Sequence, residues 1–152
     1  DGAFHGVSIP GNTNVGYMVS DAAFSDFTLR LKTKIIKGNS GVFVRTDPAT
    51  MAAYEIEVDS EKRTGGFWET GKGGRAWVTG PEDNAAYITG EWNTLTASLH
   101  GHKIVFQLNG LKTIDLPDDS TGRLEGVIGL QVHGRMDTEV WFKDIEVLVP
   151  AK

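Results

Sequence analysis

Cysteine is absent from all 152 residues, which excludes structural disulfides and cysteine-ligated metal and leaves the redox compartment open. Long apolar runs are missing too: no stretch approaches the ~20 residues of a membrane-spanning helix, and no signal-peptide pattern is visible. The chain opens at Asp1, as a processed or excised piece would, so the missing export signal carries no information. There is no Lys/Arg-rich stripe. The densest basic stretch, "RLKTK" at 30–34, interleaves its charges with Leu31 and Thr33 like the wet side of a strand, and the net charge is −5. That balance argues against phosphate-backbone binding as the main activity. No window of 11–18 residues carries a 3.6-residue period, so no helix longer than two turns is expected. Nothing matches a zinc-hydrolase helix, a phosphate loop, a dinucleotide fingerprint or a nucleophile elbow. The few serines lack a histidine–acid context.

What the chain does have is glycine, 19 residues against roughly 7% in an average protein. The glycines separate short alternating segments: "FTLRLKTKI" (27–35), "GVFVR" (41–45), "YEIEVD" (54–59), "WNTLTASL" (92–99), "KIVFQLNG" (103–110), "GVIGLQVHG" (126–134) and "VWFKDIEVLV" (140–149). Period-two alternation punctuated by turn residues predicts an all-β, two-sheet antiparallel sandwich spanning residues 1–152 as one domain. "LHGHK" (99–103) reads as one hairpin and "LNG" (108–110) as a stronger one, because Asn-Gly suits positive φ. The 60–90 stretch lacks clean alternation but carries Trp68 and Trp77, so it reads as a packed functional excursion.

Alternation also sorts the faces. Gly41, Phe43 and Arg45 share a side, as do Gln131 and His133, and as do Glu55, Glu57 and Asp59. Taken singly, each polar residue could be a solvated surface group. Three strands that all carry long polar chains on one side read instead as a ligand-holding face. Trp68 and Trp77 are candidate platforms for the apolar face of a sugar. His100 and His102 flank a tight turn and read as exposed, His5 as terminal, and Trp92 as core.

"FSDFTLRLKTKI", "NSGVFVR", "YEIEVD", "TGGFWETGKGGRAW", "GEWNTLTASLHGHKIVFQLNG" and "GVIGLQVHGRMDTEVWFKDIEV", in this order, resemble the 3-keto-disaccharide hydrolase domain family over about residues 16–149. That family, long known only as a domain of unknown function, is common in environmental and gut bacteria. The resemblance implies a concanavalin A-like jelly roll and cleavage of glycosides already oxidised to a ketone at C3. It also implies a polar concave face with Arg45, Glu55, Glu57, Asp59, Glu69, Arg75, Gln131 and His133. The opening "DGAFHGVSIPGNTNVGY" departs from the family pattern.

A C3 ketone acidifies the C2 proton, so a base, a leaving-group acid and a donor at the ketone oxygen would be needed. The catalytic candidates are His133, Asp59, Glu57 and Glu69. The substrate-binding candidates are Arg45, Glu55, Trp68, Arg75, Trp77 and Gln131. Glu57, Asp59 and His133 could hold a divalent cation (Ca, Mg, Mn or Zn), and no organic cofactor is expected. The expected geometry has Arg45, Glu57, Asp59 and His133 pointing into one cavity with Trp68 or Trp77 at its rim. The alternative function is a noncatalytic carbohydrate-binding module using the same face. The partner is then a carbohydrate or oxidised glycoside, without nucleic acid or membrane insertion, and the expected location is periplasmic or secreted.

Overall fold

The computed structural model describes residues 2–61, 63–71 and 86–151. The strands are β1 (Phe4–Val7), β2 (Gly16–Phe24), β3 (Phe27–Lys37), β4 (Asn39–Thr46), β5 (Tyr54–Asp59), β6 (Phe67–Glu69), β7 (Asn93–His100), β8 (Lys103–Leu108), β9 (Leu111–Leu116), β10 (Gly126–Val132) and β11 (Glu139–Leu148). They form a six-stranded sheet in the order β1-β11-β3-β7-β8-β9 and a five-stranded sheet in the order β2-β10-β4-β5-β6. All pairings are antiparallel. There is no helix among the described residues, and the architecture is the expected all-β, concanavalin A-like jelly-roll sandwich.

Alternation decides which side of each strand is dry. In β3, Phe27, Leu29, Leu31 and Ile35 point into the core, while Arg30 stays outside. From the other sheet come Val42, Val44, Tyr54, Ile56, Val58 and Leu130. Phe67 bridges the two layers, edge-on to Tyr54 at 5.1 Å and to Phe106 at 5.5 Å. The expected Asn-Gly hairpin joins β8 to β9, with φ of 49° at Asn109 and 83° at Gly110.

One end of the sandwich is closed by polar contacts. The Tyr54 hydroxyl donates to Asp119 Oδ2 at 2.5 Å, fully buried, and accepts from the Arg123 backbone N–H at 2.6 Å, partly buried. Burial and the Asp119 carboxylate push the Tyr54 phenol far above its ordinary range, so it remains a donor. Tyr54→Phe is expected to cost about 1–3 kcal/mol in a urea denaturation, because a buried carboxylate oxygen and an amide each lose a partner. An unchanged midpoint would show that solvent replaces both bonds.

Candidate functional site

The outer side of the five-stranded sheet collects the polar residues that alternation assigned to it. In β5, Tyr54, Ile56 and Val58 take the core side and Glu55, Glu57 and Asp59 take the other. Cross-strand pairing then builds rows. Asn39 pairs with Asp59, Gly41 with Glu57, and Phe43 with Glu55, while Trp68 of β6 stands on the far side of Glu55. On the near side, Gly129 pairs with Phe43 and Leu130 with Val42, so the next residue, Gln131, comes up beside Gly41. Ser40, next to Gly41, fixes that register through its hydroxyl, which donates to the Gln131 carbonyl at 2.5 Å. Tyr17 of β2 pairs with Gln131 and extends the row.

Gly41 has a specific task. A Cβ built there would lie 2.1 Å from Glu55 Oε1, so the missing side chain is the space the Glu55 carboxyl occupies. Glu55 is 6% exposed and Glu57 7% exposed, unusual burial for two acids on one face. Burial pushes the Glu55 carboxyl well above its ordinary value, and the charge on Glu57 adds to the effect. Glu57 is pushed up from 4.5 to about 7, chiefly by burial and also by Asp59; the Asn39 amide and the Arg63 guanidinium oppose the rise. The Asn39 amide donates to Glu57 Oε1 and, at 3.3 Å, to Asp59 Oδ2. The other Asp59 oxygen accepts the Glu61 backbone N–H at 2.7 Å.

These raised affinities tie stability to pH. A carboxyl that binds its proton more tightly when folded makes the native state hold more protons than the unfolded chain. Stability is therefore fullest below the unfolded value of 4.5 and falls as pH rises through the folded value of about 7. Glu57 alone makes this loss on the order of 3 kcal/mol, and Glu55 adds to it in the same direction. The exposed Asp47, Asp115 and Asp144 carboxylates shift downward instead, so they act at lower pH than this window. The melting temperature is expected to drop between pH 5 and pH 8, and Glu57→Gln is expected to flatten the drop. A flat wild-type profile over that range would contradict the assigned burial.

Other candidates lie elsewhere. Arg45 is corrected outright: it is the extra residue of a bulge, in which Phe43 to Thr46 on β4 oppose only Gly129 to Val127 on β10. With φ of 50° it breaks the alternation and leaves the polar face. Its guanidinium is 1% exposed and donates to the carbonyls of Ser25 at 3.1 and 2.8 Å, Gly101 at 2.8 Å and Arg123 at 2.7 Å. Glu69 pairs with Tyr54, a core-facing residue, so it points to the opposite side of the sheet from Glu55 and Glu57. His133 lies just past the end of β10, where its Nδ1 bonds to the Gly134 carbonyl oxygen. It lines a cavity of about 290 Å³ at the seam of the two sheets, together with His5, Asn12 and Asn14. Among the described residues no three His, Asp or Glu side chains gather closely enough to hold a metal ion. The Glu57–Asp59–His133 set is therefore not assembled, and the single cavity expected for Arg45, Glu57, Asp59 and His133 is not formed. Arg75 and Trp77 fall outside the described residues.

Smaller expectations also shift. Trp92 is a half-buried surface ring under Lys143 Nζ, 4.1 Å from its centroid. His5 stacks on Trp141 at 3.6 Å. His102 is half-buried against the Asp119 carbonyl at 3.0 Å. Sequence reasoning missed Tyr17 and Asn39. Asn39 stood in plain view in "NSGVFVR", one alternation step before Gly41, but a small amide beside a turn reads as turn chemistry.

A family described as the 3-keto-alpha-glucoside-1,2-lyase-like domain matches residues 1–148. No curated protein matches by sequence. Among solved structures, a carbohydrate-binding module, CBM66, from Bacillus subtilis superposes with a TM-score of 0.75 at 21% identity, covering 91% of this chain and 84% of that one. A Parabacteroides distasonis protein provisionally described as a glycosyl hydrolase gives a TM-score of 0.74 at 19% identity, covering 99% and 88% of the two chains. A homodimeric agglutinin from chicken liver, CG-16, gives 0.55 at 13% identity, covering 89% and 100%. At these identities the structural likeness speaks for the fold alone.

Proposed function

Because the chain belongs to the 3-keto-alpha-glucoside-1,2-lyase-like domain family, we propose that it cleaves C3-oxidised glycosides by elimination and hydration. A base takes the C2 proton, the electron pair passes through the enolate, and the C1–O bond breaks as the leaving oxygen is protonated. Water then adds at C1 of the resulting enone while C2 regains a proton, giving the free 3-keto sugar. The reaction is redox-neutral and consumes one water. It differs from ordinary glycoside hydrolysis, in which paired carboxylates work around an oxocarbenium-like centre.

The observation that carries this reading is a pair of buried acids on one sheet face, Glu55 and Glu57, whose carboxyls burial raises above their ordinary value. Glu57, raised to about 7, is part-ionised at neutral pH and suits the base. Glu55, whose carboxyl burial also raises well above its ordinary value, suits the acid that meets the leaving oxygen. Asn39 fixes the Glu57 carboxylate, and Asp59 keeps its affinity high by like-charge repulsion. On this reading kcat/KM rises with pH through about 7 and falls again when Glu55 ionises. The direct test is incubation with a 3-keto-glucoside and with its unoxidised parent, following aglycone release. Consumption of the keto compound alone supports the reading; equal release from both, or from neither, removes it.

A noncatalytic carbohydrate-binding role is the second reading. It is favoured by Trp68 standing beside Glu55, where a ring could stack on a sugar. It would leave the pair of Glu55 and Glu57 without chemical work.

A further inference from the structure

One side-chain acceptor on this face is buried without a donor among the described residues. Gln131 is 5% exposed, and its Oε1 accepts no hydrogen bond. The Glu55 carboxyl lies in the space above Gly41 and is 6% exposed. Gly41 sits in the row between Gln131 and Glu57, so these two groups are neighbours. Tyr17 completes the row: it pairs with Gln131, rests its ring edge-on against Phe43 at 5.2 Å, and is 39% exposed. The Gln131 side chain hydrogen-bonds the Tyr17 phenol, which places that hydroxyl beside the amide. A buried acceptor with no donor is costly, and such groups in folded proteins usually have a ligand or water as the missing partner.

We propose that Tyr17, Gln131 and Glu55 form the floor of a subsite that selects a neutral sugar ring over an anionic one, with Gln131 Oε1 accepting a ligand hydroxyl. The inference rests on the carbohydrate reading above but not on its elimination chemistry. The missing partner must be a donor, which a sugar hydroxyl supplies. An anionic group would also enter beside Glu57 and Asp59, with Arg63 the one cation that acts on Glu57 among the described residues. Uronic acids and sulfated or phosphorylated sugars are therefore disfavoured by charge repulsion.

Calorimetric titration with methyl glucoside and methyl glucuronide at pH 7.5 tests this on the intact chain. The neutral glycoside is expected to bind at least about 10-fold tighter. Gln131→Leu and Tyr17→Phe are each expected to weaken it about 5-fold to 10-fold, and Glu57→Gln to narrow the gap to the glucuronide. Tyr17→Phe changes only a half-exposed hydroxyl, so it keeps the test open where Gln131→Leu unfolds the sheet. Glucuronide binding as tightly as glucoside, no binding of either, or wild-type affinity in both folded variants overturns the proposal. Preference for the neutral glycoside without release from a 3-keto-glucoside removes the lyase reading and leaves the subsite standing. Release without preference does the reverse.

Discussion

Glu57→Gln is expected to lower turnover of a 3-keto-glucoside by roughly 10²-fold or more, the usual scale for losing a general base. The amide keeps the volume and can still bond to Asn39, so the fold should survive. Stability at pH 8 should rise, because a buried charge beside Asp59 disappears. Asp59→Asn separates chemistry from tuning. Its carboxylate is held by the Glu61 amide and Asn39 and acts on Glu57 through charge. Removing that charge should move the acid limb of the kcat/KM profile to lower pH with a smaller loss at the optimum. Lost activity together with raised stability marks an acid retained for chemistry; full activity in Glu57→Gln would return the face to ordinary surface.

Arg45→Met is expected to cost about 3–5 kcal/mol in denaturant unfolding, the largest stability effect at any position considered. The three carbonyls it binds come from the turn after β2, the turn after β7 and the loop before β10. One guanidinium thus closes three separate connections at the end of the sandwich. Asp26, 3.5 Å away and half-exposed, gives the buried charge a partial counterion. Arg45→Lys should not rescue, since a point charge cannot reproduce a fork that meets three carbonyls. Near-native stability in Arg45→Met would show that these loops are held by other contacts. If Arg45 instead touched substrate, the variant would lose affinity with its stability intact.

How far the sequence foretold this structure depended on the strand. β3, β5, β7 and β8 lie within the sheets, and their alternation placed every residue on its observed face. β2 escaped notice because it is the edge of its sheet. Its residues "GYMVSDAAF" are mostly exposed, so no dry side imposes a period on them. With β2 went Tyr17. β9, the edge of the other sheet, was implied by the Asn-Gly hairpin alone, since its own mostly exposed residues carry no clear period. Arg45 was misplaced because alternation assumes an unbroken pleat, and a bulge shifts every residue after it by one step. Glu69 was misplaced for want of the register that pairs it with Tyr54. His133 followed alternation past a strand end that Gly134 closes, where its Cβ would lie 2.2 Å from the Asn14 carbonyl oxygen. The acids of "YEIEVD" were legible as a shared face. Their unequal burial was not, because it depends on Gly41 from the neighbouring strand.

The claim that Glu57 takes the C2 proton is tested most directly by running the reaction on a 3-keto-glucoside in heavy water and reading C2 of the released sugar by NMR. Proton removal followed by hydration of the enone predicts one solvent deuterium at C2 per turnover. Incorporation should exceed the enzyme-free exchange and be lost, together with aglycone release, in Glu57→Gln. Aglycone release with the original hydrogen retained at C2 would contradict the account and point to direct displacement at C1.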